Sequence, residues 1–187
     1  MVRRLGYVIA MAVLALSGLG EEPSFVDAPG SPIEVEDAWY GAIGDFNEDG
    51  SLDIAVVNQG FRLTDPDRVS VLLGNGTGRF TGPVHVVIDG RKPASVTAAD
   101  LDGDGHLDLA VGNDTGTLSI LLGDGTGKFH RPFWSPLMID PCSQCLRWMG
   151  TGDLDEDGRP DFVVVNELED LVVIRLNVIQ LVDDNRR

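Results

Sequence analysis

The chain has 187 residues, 43% of them hydrophobic, which suits one ordinary domain with a packed core and excludes wholesale disorder. Thirty Asp and Glu stand against 14 Lys and Arg, a formal charge of −16. A surface of that sign repels nucleic-acid backbones and anionic lipid headgroups, so neither is an expected partner.

Arg3 and Arg4 precede an apolar, acid-free run from Leu5 to Leu19, and Gly18 and Gly20 put small residues before Glu21. This layout predicts a secretory signal peptide over residues 1–20, with 21–187 as the repeat domain described below. The run is shorter than the roughly 20 apolar residues of a spanning helix, so cleavage is expected rather than retention as an anchor. Removal would leave 12 basic against 30 acidic residues, a charge of −18, and no membrane-inserted segment. The expected location is outside the cytoplasm: secreted, periplasmic or at the cell surface.

One string then occurs three times, at Asp45–Asp53 (DFNEDGSLD), Asp100–Asp108 (DLDGDGHLD) and Asp153–Asp161 (DLDEDGRPD), with starts 55 and 53 residues apart. Each is followed by a short β-rich run ending in Asn: Ile54–Asn58, Leu109–Asn113 and Phe162–Asn166. These runs read as strands, with the Asn as a turn residue. Arg68–Leu73 and Thr117–Leu122 read as further strands leading into the glycine-rich turns Gly74–Gly78 and Gly123–Gly127. Val84–Ile88 and Ser95–Ala99 complete the set in the second copy. Phe25, Phe80 and Phe129 mark units of about 25–79, 80–128 and 129–187, and the last has no glycine-rich ending after Ile174–Leu181. Four short antiparallel strands at a period near fifty make one propeller blade. The expected fold is therefore all-β, with about three β-propeller-type four-stranded antiparallel blades in an incomplete propeller.

Positions 1, 3, 5 and 9 of each acidic loop carry a carboxylate or carboxamide, position 6 is Gly, and position 7 offers a backbone carbonyl. Oxygen donors on a tightly wound loop suit calcium, whereas zinc and copper prefer Cys or neutral His, and magnesium demands stricter octahedral geometry. The candidate ligands are Asp45, Asn47, Asp49, Asp53 and the Ser51 carbonyl. In the second loop they are Asp100, Asp102, Asp104, Asp108 and the His106 carbonyl, and in the third Asp153, Asp155, Asp157, Asp161 and the Arg159 carbonyl. About three Ca²⁺, one per repeat, are expected. An EF-hand needs an acid at position 12 and an exiting helix, but position 12 is Val56, Val111 and Val164 inside β-type runs, so position 9 must close the shell.

The other motifs carry less. The glycine-rich turns have neither the Lys-Ser/Thr of a phosphate loop nor a following helix. Cys142 and Cys145 are read as a small-loop disulfide, with free thiols as the alternative. His85, His106 and His130 have no evident nucleophile beside them and are read as surface or packing residues. Trp39, Trp134 and Trp148 are expected between blades, the alternative being an exposed sugar-stacking role.

The pattern DxDxDGxxD before a hydrophobic strand, followed by LLGNGTGRF and LLGDGTGKF, resembles FG-GAP/VCBS repeats from about Phe25 to Leu176. The resemblance implies a propeller like the integrin α-subunit head, with a calcium loop joining the first two strands of a blade. It also implies a non-enzymatic role in adhesion or binding of an extracellular protein or glycan. The alternatives are a frame for a secreted polysaccharide-active enzyme, or a truncated remnant. Because a closed propeller has about 4 to 8 blades, self-association to complete the ring is a further expectation.

Overall fold

The structure, a computed structural model, describes residues 24–60, 66–139, 146–166 and 169–177. The expected signal peptide, the pair Cys142 and Cys145, and the end of the run past Asn177 lie outside them. The described chain is all-β, with twelve strands and no helix among the described residues. Strands β1 (Ala38–Gly44), β2 (Asp53–Asn58), β3 (Arg68–Gly74) and β4 (Phe80–Val87) form one antiparallel meander. The second sheet contains β5 (Pro93–Ala99), β6 (Asp108–Asn113) and β7 (Thr117–Gly123), with β8 (Phe129–His130) and β9 (Leu137–Met138) both paired to β7. The third contains β10 (Leu146–Gly152), β11 (Asp161–Asn166) and β12 (Leu171–Arg175). These are propeller-type blades, and they do not close into a ring.

Repeat units and sheets are offset by one strand. β4 follows Phe80 and opens the second sequence unit, yet it pairs with β3 and closes the first sheet. The glycine-rich turn is a hairpin, and a hairpin joins neighbours within one sheet. The acidic loops consequently join the first and second strands of every sheet. In the second sheet the outermost strand is split into β8 and β9, because Pro132 and Pro136 remove ladder donors between them. Ser135 Oγ fills the gap by accepting from the Ile120 N–H at 3.1 Å.

Of the second strands only β6, in the middle sheet, is covered on both faces and buried along its whole length; β2 and β11 alternate buried and half-buried positions. The second sheet packs one face back onto the first sheet and the other forward onto the third. Ala55, Val57, Val69 and Val71 of the first sheet meet Val96, Leu109, Val111 and Leu121 of the second. Ala110, Leu118 and Ile120 of the second meet Met149, Phe162 and Val164 of the third. The first strands run side by side, β5 touching both β1 and β10, with Thr97 Oγ1 3.1 Å from Thr151 Oγ1.

Candidate metal centres

Each acidic loop is wound by its own side chains. At position 1, Asp45 accepts from the N–H groups of Asp49 and Gly50 at 3.1 and 2.9 Å. Asp100 accepts from Gly103 and Gly105 at 2.8 and 2.9 Å, and Asp153 from Asp157 and Gly158 at 3.1 and 2.9 Å. At position 3, Asn47 and Asp102 accept from the N–H two residues on, both at 3.2 Å. At position 5, Asp49, Asp104 and Asp157 accept from Ser51, His106 and Arg159 at 2.8, 2.9 and 2.9 Å. Gly50, Gly105 and Gly158 at position 6 have φ of +84°, +94° and +86°, a conformation that side chains resist. Position 4 is left-handed too, at Glu48, Gly103 and Glu156, a constraint the spacing of acids did not reveal.

The Asp at position 9 is fully buried in all three loops and ties two pieces of chain together. Asp53 accepts from Phe46 N–H at 2.8 Å and Gly74 N–H at 2.7 Å. Asp108 accepts from Leu101 at 2.7 Å and Gly123 at 2.8 Å, and Asp161 from Leu154 and Asn177, both at 2.8 Å. A Cβ added at Gly74 would lie 2.1 Å from the Leu52 carbonyl oxygen, so the loop is seated against the start of the hairpin.

Oxygens of Asp100, Asp102 and Asp108 all lie within 4.8 Å of one another, as do those of Asp153, Asp155 and Asp161. Both triads could hold a metal ion. The first loop has the carboxamide of Asn47 in the corresponding place beside Asp45 and Asp53. Asp104 and Asp157 are not members of the triads. Two of the side chains at position 7 are engaged: His106 Nδ1 is 2.5 Å from Glu48 Oε1, and Arg159 pairs with Asp157 of its own loop and donates to the Asn177 carbonyl. At His106 and Arg159 only the backbone carbonyls remain as candidate donors.

The donor set fits a hard cation. Burial pushes the Asp108 carboxyl up from its ordinary value, against two backbone N–H bonds, and the charges of Asp102 and Asp104 add to the push. A cation would offset that cost. Asp161 is held low instead, chiefly by the Asn177 N–H and then by that of Leu154. Asp49 is held low by the Ser51 N–H and by Asn47. His106 is raised, first by its hydrogen bond to Glu48.

The loops also sit at the seams between sheets. The Gly127 N–H, in the glycine turn of the second sheet, donates to the Phe46 carbonyl in the first loop at 2.8 Å, and the Phe46 and Phe129 rings meet edge to face at 5.5 Å. The third sheet has no such turn among its described residues, and Asn177 Nδ2 donates to the corresponding Leu101 carbonyl at 3.1 Å. Between the second and third loops lies a cleft of ≈ 230 Å³, lined in part by Ala99, Asp100, Arg159 and Pro160.

Asn58, Asn113 and Asn166 are buried strand ends as well as the residues that lead out of the strands. The Asn113 carbonyl accepts from Gly116 N–H at 3.0 Å, closing a turn, and Asn166 Oδ1 accepts from Glu169 N–H at 3.1 Å. Asn58 Oδ1 accepts from Ser70 Oγ at 2.6 Å, and Asn113 Nδ2 donates to Ser119 Oγ at 2.9 Å. Their recurrence at the same strand position was the available signal for the buried role. Two readings are corrected. First, His85 does have a hydroxyl beside it, with Nδ1 2.9 Å from Ser70 Oγ. That hydroxyl is fully buried and its proton goes to Asn58. Second, the tryptophans are not sealed between blades: Trp39, Trp134 and Trp148 are 56%, 41% and 53% exposed.

Antiparallel blades packed in series, each with an acidic loop between its first two strands, define a propeller-type repeat protein. The model of the FG-GAP-like repeat matches residues 45–111 and 100–164, and the chain belongs to that family. A comparison with curated proteins gives no match.

Proposed function

We propose that each of the three loops holds one Ca²⁺ as a structural brace, in an exported, non-enzymatic module that binds an extracellular protein or glycan. The observation that carries the metal reading is the convergence of the two carboxylate triads on oxygen donors alone. The first loop joins them through the same winding bonds, with Asn47 as a neutral donor. Asp45, Asn47 and Asp53 would hold the first ion, Asp100, Asp102 and Asp108 the second, and Asp153, Asp155 and Asp161 the third. Asp49, Asp104, Asp157 and the carbonyls of Ser51, His106 and Arg159 would complete the shells. Calcium supplies no chemistry here beyond charge neutralisation; three ions would bring the −18 of the processed chain to −12. The leader-like residues 1–20 support export. The Ser70–His85 contact gives no support to an enzyme, since its hydroxyl is sealed from any substrate.

Calorimetry tests the brace. If calcium is present at ten times the dissociation constant, each site adds about 1.4 kcal/mol and three add about 4 kcal/mol. The melting temperature should rise with millimolar calcium and fall with EDTA. A melting temperature indifferent to both would sink the proposal.

A further inference from the structure

We infer that the two end sheets of the arc are a matched pair, and that a second copy of this chain docks head to tail on them to close a two-chain ring of six sheets. The inference rests on the packing of the sheets and is independent of the metal reading.

Strand register shows what each open face is built to meet. Ile174 and Val172 of β12 pair with Val163 and Val165, as Ile120 and Leu118 of β7 pair with Ala110 and Gly112. Leu118 and Ile120 are buried against the third sheet. Val172 and Ile174, in the same places one sheet on, are 64% and 54% exposed. Trp148 lies on the same face across β11, in register with Val165 and Val172, its ring folded over Gly150. At the other end, Ile54 and Val56 of β2 hold the positions of Leu109 and Val111, which the first sheet buries, and of Phe162 and Val164, which the second buries. Here they face away from the arc and are half-buried, while Leu72 and Ser70, opposite them on the same face, are buried within the single chain.

A knob and a hole give the match its detail. Leu107, at position 8 of the second loop, packs on Gly44, the last residue of β1; a Cβ on Gly44 would lie 2.8 Å from Leu107 Cδ1. The next seam has Ala99 and Pro160 at these two positions, both lining the cleft. Two positions of this kind are left over. Gly152 ends β10 with nothing within 4 Å of an added Cβ, and Leu52 at position 8 of the first loop is 64% exposed. Leu52 of one copy against Gly152 of another repeats the Leu107–Gly44 contact residue for residue. The same docking brings the glycine turn at Gly78 to the Leu154 carbonyl, as Gly127 meets Phe46. Ala28 and Pro29 now lie against Gly78 and would shift aside.

The occupant is therefore continuous with the two seams already formed, and neither face places a charged side chain at these positions. Head-to-tail contacts close into a ring when the rotation permits and otherwise run on as filaments. Three sheets plus three falls within the about 4 to 8 blades of closed propellers, which favours the ring.

Sedimentation equilibrium of the purified protein without its hydrophobic leader, with and without calcium, tests this. The expected species has twice the monomer mass. Leu52→Glu and, separately, Val172→Glu should each halve it while leaving the far-ultraviolet circular dichroism unchanged, since both side chains are already exposed in one chain. An equimolar mixture of Leu52→Cys and Gly152→Cys proteins, with Cys142 and Cys145 replaced by Ser, should form the mixed disulfide, and neither protein alone should do so. A folded monomer at all accessible concentrations would assign the faces to some other protein and overturn the inference. A ladder of higher species, or a dimer indifferent to both Glu variants, would overturn it as well.

Discussion

The carboxylate at position 9 ties two pieces of chain together and is proposed to hold a metal ion, and substitution separates the two roles. Asp108→Asn keeps one acceptor oxygen but turns an NH₂ toward either the Leu101 or the Gly123 N–H, leaving a buried donor unpaired. The expected loss is about 1–3 kcal/mol, and it should persist in EDTA, where a residue serving only a metal would be silent. Asp102→Asn is the complement. Asn47 already accepts the equivalent N–H in the first loop, so this exposed change should leave the EDTA melting temperature unmoved and weaken only the calcium response. Gly105→Ala forces a side chain into φ of +94° with open space around it, so its cost is conformational, about 1–2 kcal/mol. The glycine turns supply a pH test. Asp124 is held below its ordinary value by Thr126, first through the hydroxyl and then the N–H, and Asn75 makes the same bonds with Thr77. A depressed carboxyl stabilises the fold above its unfolded value near pH 4, and that help disappears as pH falls through the lower folded value. Asp124→Asn should therefore be neutral at pH 7 and should reduce the slope of stability against pH in acid.

Among the elements, the strands beside the loops were the most legible, because acid spacing fixes where the loop stops and an apolar run must start. The strand cores named from the sequence are present, from Ile54–Asn58 to Phe162–Asn166, but no strand follows Phe25 before Ala38, and the third sheet has three strands among the described residues where four were expected. The sheet boundary was not legible. Phe80 marks the repeat in sequence, but whether the strand after a hairpin pairs backward or forward depends on long-range packing that local pattern does not encode. The exposure of Trp39 and Trp148 was hidden for a related reason: a tryptophan on a blade face is buried only if another blade follows. The pair of backbone N–H bonds at each of Asp53, Asp108 and Asp161 was missed because counting ligands says nothing about which backbone N–H groups lie within reach. The split strand offers a test at this scale. Ser135→Ala would leave the buried Ile120 N–H without an acceptor, at a cost of about 1–3 kcal/mol, measurable by chemical denaturation.

For the molecule as a whole, the seams matter more than any single blade. Each seam passes through an acidic loop, so if the loops hold calcium as proposed, losing an ion should loosen two sheets at once and broaden the melting transition rather than only shift it. The second sheet is clasped from both sides, through Gly127 to Phe46 and through Leu101 to Asn177. The Leu154 carbonyl of the third loop is reached by no hairpin turn of the described chain, and Leu154 itself is 47% exposed. An isolated arc should thus fail in a fixed order, like a zip opened from one end. Amides of β11 and β12 should exchange with deuterium first, those of β6 last, and a capping neighbour at the far edge should erase the difference.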